Sequence, residues 1–201
     1  MKFKGMEKVG DLIILNLLFI LCSLPLFTLG SSAVAMHYTL RRWREGEGKL
    51  ASDFFRAFRQ NFRQATILWL AFLALATGIG LNFWLISSWK GAMYTVVSIL
   101  LIVLAYLMLA WVSVVFPLLA RFDNTTGQMA KNAILLSMVN PVRSIIAVTV
   151  NIFPVVFAIL LPDLFLVASV LWLLLLCSVS ALLIQIQFSP VFDRIGENDD
   201  R

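Results

Sequence analysis

Long charge-free apolar stretches dominate the chain. They cover residues 12–40, 64–89, 91–120, 144–162 and 164–192. About 20 apolar residues in a helix cross the hydrocarbon core of a bilayer, so each stretch is long enough to form a transmembrane helix. The pattern predicts an all-α membrane protein of about five transmembrane helices. Residues 1–192 are predicted to form a single transmembrane helical domain, and residues 193–201 a short polar C-terminal tail.

The first stretch is interrupted at Pro25 and Gly30. Proline removes a backbone donor and clashes with the preceding turn, so we expect this segment to be broken near Pro25. A broken helix that still crosses the membrane is the favoured interpretation, and a re-entrant segment that turns back is the alternative. A cleaved signal peptide is disfavoured, because the apolar run is longer than a typical signal core and Glu7 and Asp11 precede it.

Two connections have the periodicity of short amphipathic helices. In residues 51–64, phenylalanines recur at helical spacing and arginines fall on an adjacent face. The second connection starts with Thr125 and Gln128 at capping-box spacing, and Asn140-Pro141 ends it. We predict two short cytoplasmic amphipathic helices at the membrane surface, the first leading directly into the second span.

Composition and charge support this topology. The chain is 61% apolar and 13% charged, and its mean hydropathy is +0.92, whereas soluble domains have about 25% charged residues. With five full spans, 12 of the 16 Lys and Arg residues lie on one side, and a re-entrant first segment raises this to 15. The positive-inside rule therefore predicts a multi-pass plasma-membrane protein with a cytoplasmic C-terminus, and five full spans put the N-terminus outside.

Basic residues cluster near the first amphipathic helix. Because phenylalanines share this segment, we expect anionic lipid headgroups rather than nucleic acid as its partner, each basic residue contributing about 1 kcal/mol. The predicted membrane-surface basic residues are Arg41, Arg42, Arg44, Arg56, Arg59 and Arg63.

Residues for catalysis or metal binding are scarce. The single histidine, His37, follows an apolar run beside the arginine cluster, where we expect an exposed structural residue. Neither Cys22 nor Cys177 has a partner at metal-ligand spacing. We predict no catalytic residue, no metal, no cofactor and no enzymatic activity. The neutral residues Asn151 and Gln185 are candidates for intramembrane polar contacts.

Three runs resemble the YesL family of bacterial membrane proteins, which has no known function. They are LPLFTLGSSA at 24–33, YTLRR at 38–42 and DFFRAFRQNF at 53–62, and Asn132-Ala133 adds to the likeness. Members are often encoded beside carbohydrate ABC importers. The resemblance implies a bacterial protein of similar length and span count, and an accessory or scaffolding role in carbohydrate uptake.

A permease or channel subunit that acts as an oligomer is the alternative. An accessory protein uses its spans and cytoplasmic helices as contact surfaces, and in the permease alternative the second amphipathic helix docks a cytoplasmic ATPase, so this helix is the candidate docking site for ABC importer subunits. Its docking residues are Gln128, Lys131, Asn132 and Leu136. The sequence leaves the molecular activity, any solute and the oligomeric state open.

Overall fold

Helices make up nearly all of the computed structural model, which describes residues 3–46, 49–160 and 177–199. These ranges contain no β-strand, which confirms the all-α prediction. The helices are α1 (Phe3–Ser23), α2 (Leu29–Arg44), α3 (Leu50–Ile86), α4 (Ala92–Leu119), α5 (Thr126–Val139), α6 (Pro141–Leu160) and α7 (Cys177–Asp199).

Two of these helices, α3 and α4, are long and apolar enough to cross a membrane. A third crossing is obtained if α5 and the first part of α6, which meet at an angle of 107°, count as one broken span. The membrane character is therefore supported, but a count of five spans is not confirmed. The predicted spans at 144–162 and 164–192 extend into residues 161–176, which lie outside the described residues.

The first predicted span is a helical hairpin. Helix α1 ends at Ser23, a 3-10 turn follows at Leu26–Thr28, and α2 begins at the next residue, so the break predicted near Pro25 is present. The two helices are antiparallel, because Trp43 near the end of α2 donates a hydrogen bond to Asp11 in the first half of α1.

A single crossing by residues 12–40 is therefore not confirmed: the backbone turns back at Leu26–Thr28, as in the re-entrant alternative. Each apolar arm of the hairpin has about 12 residues, or ~18 Å of helix, against ~30 Å of hydrocarbon. The start of α1 consequently lies on the same side as the end of α2. Five full spans require the N-terminus and the basic connection to lie on opposite sides of the membrane. In the hairpin, both lie on the same side.

The tip of the hairpin packs closely against α3. A Cβ atom at Gly30 would lie 2.6 Å from the carbonyl oxygen of Ala65, a contact that only glycine permits. One turn further along α3, the indole nitrogen of Trp69 donates a 2.7 Å hydrogen bond to the carbonyl of Leu26. The same carbonyl accepts a backbone hydrogen bond from Leu29, so the indole bond adds a second contact that ties the turn to α3.

Residues 51–64 do not form a separate surface helix. They are the beginning of α3, a continuous helix of 37 residues. Phe54 and Ala57 are fully buried in a cluster with residues of α2. The protein, rather than lipid, covers this part of the apolar face, which is why the helix continues straight into the long apolar segment.

The core lies at one end of the helical hairpin formed by α3 and α4. Every residue from Ala110 to Ala120 of α4 is buried except Val112, whereas the distal parts of both helices are largely exposed. The two helices are joined by a short turn in which Gly91 has a φ of 83°. A large exposed apolar surface of this kind marks a membrane or protein contact. Here it coincides with the two helices that are long enough to span.

Candidate functional site

Helix α5 is fixed to α4 by side chains of both helices. Its start is a complete capping box, because Thr125 and Gln128 each accept a hydrogen bond from the other's backbone. The indole nitrogen of Trp111 donates a 3.1 Å hydrogen bond to the carbonyl of Ala130. Met129 on the same face is fully buried. One face of α5 therefore packs into the core.

The adjoining face of α5 borders a groove of ≈630 Å³, which Met129 also lines. Gln128, Lys131 and Asn132 are exposed and Leu136 is partly buried. We call this feature the α5 groove; its lining includes the four predicted docking residues and, from other elements, Leu118, Phe122, Asn124 and Ile195. Four residues grouped from helical spacing thus share one concave surface.

An exposed apolar rim runs along the same helix. Leu135, Met138 and Val139 are 50%, 64% and 76% exposed. The helix ends at Asn140, and α6 leaves at 107° from Pro141. A short helix that crosses the direction of a longer one presents its rim as a surface for a partner or for lipid.

The six predicted membrane-surface arginines do not form one surface. Arg42 lies 3.4 Å from the carboxylate of Asp53 and joins α2 to α3. Arg41 and Arg44 line a small cavity beside the end of α4. The remaining three arginines are exposed along the first half of α3; they are Arg56, Arg59 and Arg63.

The two neutral polar candidates each join a pair of helices. Asn151 of α6 donates a 2.8 Å hydrogen bond to the hydroxyl of Ser113 in α4. Gln185 of α7 donates a 3.0 Å hydrogen bond to the carbonyl of His37 in α2. Both bonds link helices that are far apart in sequence, so they help to hold the bundle together.

His37 is buried, not exposed as expected from its position beside the arginines. Its side chain is 7% exposed, and its Nδ1 atom has no hydrogen-bond partner among the described residues. It lines a mainly apolar cavity of ≈330 Å³ together with Ser113, Asn151 and Cys177. Helix α7 covers it, a contact that local sequence does not indicate. No group of three potential metal ligands occurs in the part of the chain that the structure describes.

Two contacts near the site were not predicted. Arg121, just after α4, pairs with Asp193 of α7. Trp111 anchors α5, as described above. A buried indole N–H needs a hydrogen-bond acceptor, so the position of Trp111 in an apolar run could have indicated a contact of this kind. Asp193 was assigned to a polar tail, and its pairing depends on the packing of α7.

The comparisons give one family match. Residues 12–83 match a family described as a protein of unknown function, DUF624. The match covers little more than a third of the chain and contains the hairpin tip, α2 and most of α3. No curated protein and no solved structure matches the chain.

Proposed function

We propose that the whole chain is a YesL-type bacterial membrane protein that acts as an accessory or scaffolding component of a carbohydrate ABC importer. The α5 groove is its docking surface. The match to DUF624 and the likeness of residues 24–33 and 53–62 to the YesL family support the assignment. The proposed role includes no enzymatic step, and the specificity for the carbohydrate lies in the importer.

The observation that carries the proposal is the construction of α5. Its buried side is held by the bond from Trp111 and by Met129, which also lines the groove, and Lys131 and Asn132 are exposed along that groove. In helix-in-groove recognition an amphipathic helix lays its apolar face into a hydrophobic groove, and α5 presents Leu135, Met138 and Val139 as an exposed apolar face. Preorganisation of this kind reduces the entropic cost of binding.

The distribution of charge supports a cytoplasmic position for this surface in the proposed topology. The hairpin brings the N-terminus to the side of Arg44, and the pairing of Arg121 with Asp193 brings the end of α7 to the same side. Lys90, in the turn between α3 and α4, then stands alone on the outer side among the 16 basic residues. The positive-inside rule favours this arrangement in the plasma membrane.

A permease subunit acting as an oligomer is the second candidate. The 107° angle between α5 and α6 favours it, because importer coupling helices also lie across the spans that they connect. In this version α5 docks an ATPase directly. The cavity beside His37 and Asn151 then belongs to a pathway that several copies complete.

Affinity purification from mild detergent tests both versions. We expect a complete carbohydrate importer in stoichiometric amounts with the wild-type chain. Lys131→Glu combined with Asn132→Asp should remove it, and the matched control Arg56→Glu with Gln60→Glu, on the exposed part of α3, should retain it. An ATPase subunit alone, with hydrolysis that depends on this chain, supports the permease version. A homo-oligomer without any partner contradicts both.

A further inference from the structure

A second cavity lies where the ends of α2, α4 and α7 meet. Its volume is ≈230 Å³. Arg41 and Arg44 enter it from α2, Arg121 from the end of α4, and Gln185 and Ser189 from α7. It is separate from the α5 groove and shares none of its lining residues.

The charges of this cavity leave an excess of one cation. Arg121 is paired with Asp193, and its guanidinium lies 5.9 Å from the ring centroid of Phe192. Within the described ranges, neither Arg41 nor Arg44 forms an ion pair, and Glu45 is the one further carboxylate in the lining. The cavity therefore attracts a single negative charge.

The side chain of Arg41 is positioned by an aromatic neighbour. Its guanidinium carbon lies 5.6 Å from the ring centroid of Tyr38, and its Nε atom is buried without a hydrogen-bond partner in the described part of the chain. A guanidinium that already stacks on an aromatic ring loses little freedom when it binds an anion. Planar donors of this type match phosphate oxygens.

Gln185 adds a requirement for a donor. The residue is 7% exposed, and its amide nitrogen is used by the carbonyl of His37. Its Oε1 atom is buried and accepts no hydrogen bond from any described residue. A buried acceptor left unpaired costs free energy, so a ligand hydroxyl that donates to Oε1 strengthens binding.

We propose that this cavity binds a phosphodiester with a hydroxylated head, the chemistry of an anionic phospholipid such as phosphatidylglycerol. Arg41 and Arg44 hold the phosphate, and Gln185 accepts from a head-group hydroxyl. A phosphodiester carries one charge, which matches the cavity, whereas a phosphomonoester carries about −1.5 to −2. The cavity of ≈230 Å³ is smaller than the ~300–1,000 Å³ sites of drug-sized ligands, so a lipid head group fits it better than a larger ligand does.

Binding to the purified full chain in a neutral detergent tests the proposal. We expect native mass spectrometry to retain one phosphatidylglycerol per chain and to retain phosphatidylcholine at least tenfold less. Phosphatidylethanol has the same charge but no head-group hydroxyl, so it should bind several-fold more weakly than phosphatidylglycerol. Gln185→Met should abolish that difference.

The arginine variants test the phosphate contact. Arg41→Gln with Arg44→Gln should weaken phosphatidylglycerol binding at least tenfold, and the control Lys49→Gln with Lys90→Gln, which removes the same charge from exposed positions outside the cavity, should not. Arg44→Gln alone changes an exposed side chain and keeps the test valid if the double variant fails to fold. Equal loss in both pairs, or equal retention of phosphatidylcholine, overturns the proposal. If soluble glycerol phosphate binds more tightly than the lipid, the ligand of the cavity is a soluble phosphate ester, and the lipid assignment is overturned.

Discussion

Trp43 donates a hydrogen bond of 2.9 Å to the carboxylate of Asp11, although 32 positions separate the two residues. The ammonium of Lys8 also lies 5.9 Å from the ring centroid of Trp43. The charged start of α1 and the charged end of α2 therefore meet. The apolar arms between them turn back at Leu26–Thr28, so the chain starts and leaves this segment on one side.

Side-specific labelling should show this directly. We expect single cysteines at Lys8 and Glu45, in a chain without Cys22 and Cys177, to react with a membrane-impermeant maleimide from the same side of sealed vesicles. The reason is the short contact of Trp43 with Asp11, which keeps both positions at one surface. The measurement is labelling before and after the vesicles are opened.

Lys90 supplies the control for this experiment. It lies beyond the end of α3, on the turn before α4, so a cysteine there should react from the opposite side. Labelling of Lys8→Cys and Glu45→Cys from different sides would show that residues 12–40 cross the membrane and would contradict the hairpin.

Gly30 should tolerate no side chain. In Gly30→Ala the new Cβ would meet the carbonyl of Ala65 at 2.6 Å and the Cβ of Trp69 at 2.8 Å. Both are rigid neighbours, so α2 has to move away from α3. We expect a loss of about 1–3 kcal/mol in the free energy of unfolding, typical of overpacking. Thermal unfolding in detergent measures it.

The matched change is Gly78→Ala in the exposed part of α3, where no atom lies within 4 Å of the new Cβ. Alanine is the better helix former by about 1 kcal/mol, so this variant should be as stable as wild type or slightly more stable. Equal stability of the two variants would mean that the approach of α2 to α3 is looser than the structure shows.

Local chemistry explains which elements were predictable. Thr125 and Gln128 form their cap within one turn, and the break between α1 and α2 lies beside Pro25, so both results follow from nearby residues. The number of membrane crossings could not be predicted from local sequence in the same way. An apolar run has the same composition whether it crosses or turns back, and here the contact of Gly30 with Ala65 decides.

The site was predictable to the same degree. Gln128 and Lys131 lie one turn apart on a helix, so their shared surface follows from spacing. Arg41 and Arg42 are neighbours in sequence but point ~100° apart around α2, so one lines a cavity and the other pairs with Asp53. The opposite wall of each cavity comes from other helices, and no local pattern indicates it.

Trp111 should control the order of α5. Trp111→Phe keeps the ring in the core but removes the bond to the carbonyl of Ala130, which should cost about 1 kcal/mol. Since the bond joins two helices, we expect faster amide hydrogen exchange in residues 126–139 and little change in the distal part of α3. Trp84→Phe, at a position 72% exposed, is the control. Unchanged exchange in α5 would show that the capping box and Met129 suffice to hold it.

Asn151 and Ser113 should be energetically coupled. The Ser113 hydroxyl donates to the carbonyl of Leu109 and accepts from the amide of Asn151, so the bond between the two helices depends on both side chains. In a double-mutant cycle with Asn151→Leu and Ser113→Ala, we expect a coupling of about 0.6 kcal/mol and no more than ~1.7 kcal/mol, the range for interhelical bonds in a membrane protein. Unfolding in mild detergent supplies the four free energies.

Asn82 provides the comparison for that cycle. Its amide donates to the carbonyl of Gly78 within its own helix, and its side chain is exposed, so Asn82→Leu breaks no bond between helices. It should leave the free energy of unfolding within about 0.5 kcal/mol of wild type. A coupling below ~0.3 kcal/mol between Asn151 and Ser113 lies within the additivity of independent sites. That result would mean that α4 and α6 are held by apolar packing alone, and it would leave Asn151 available to the cavity beside His37.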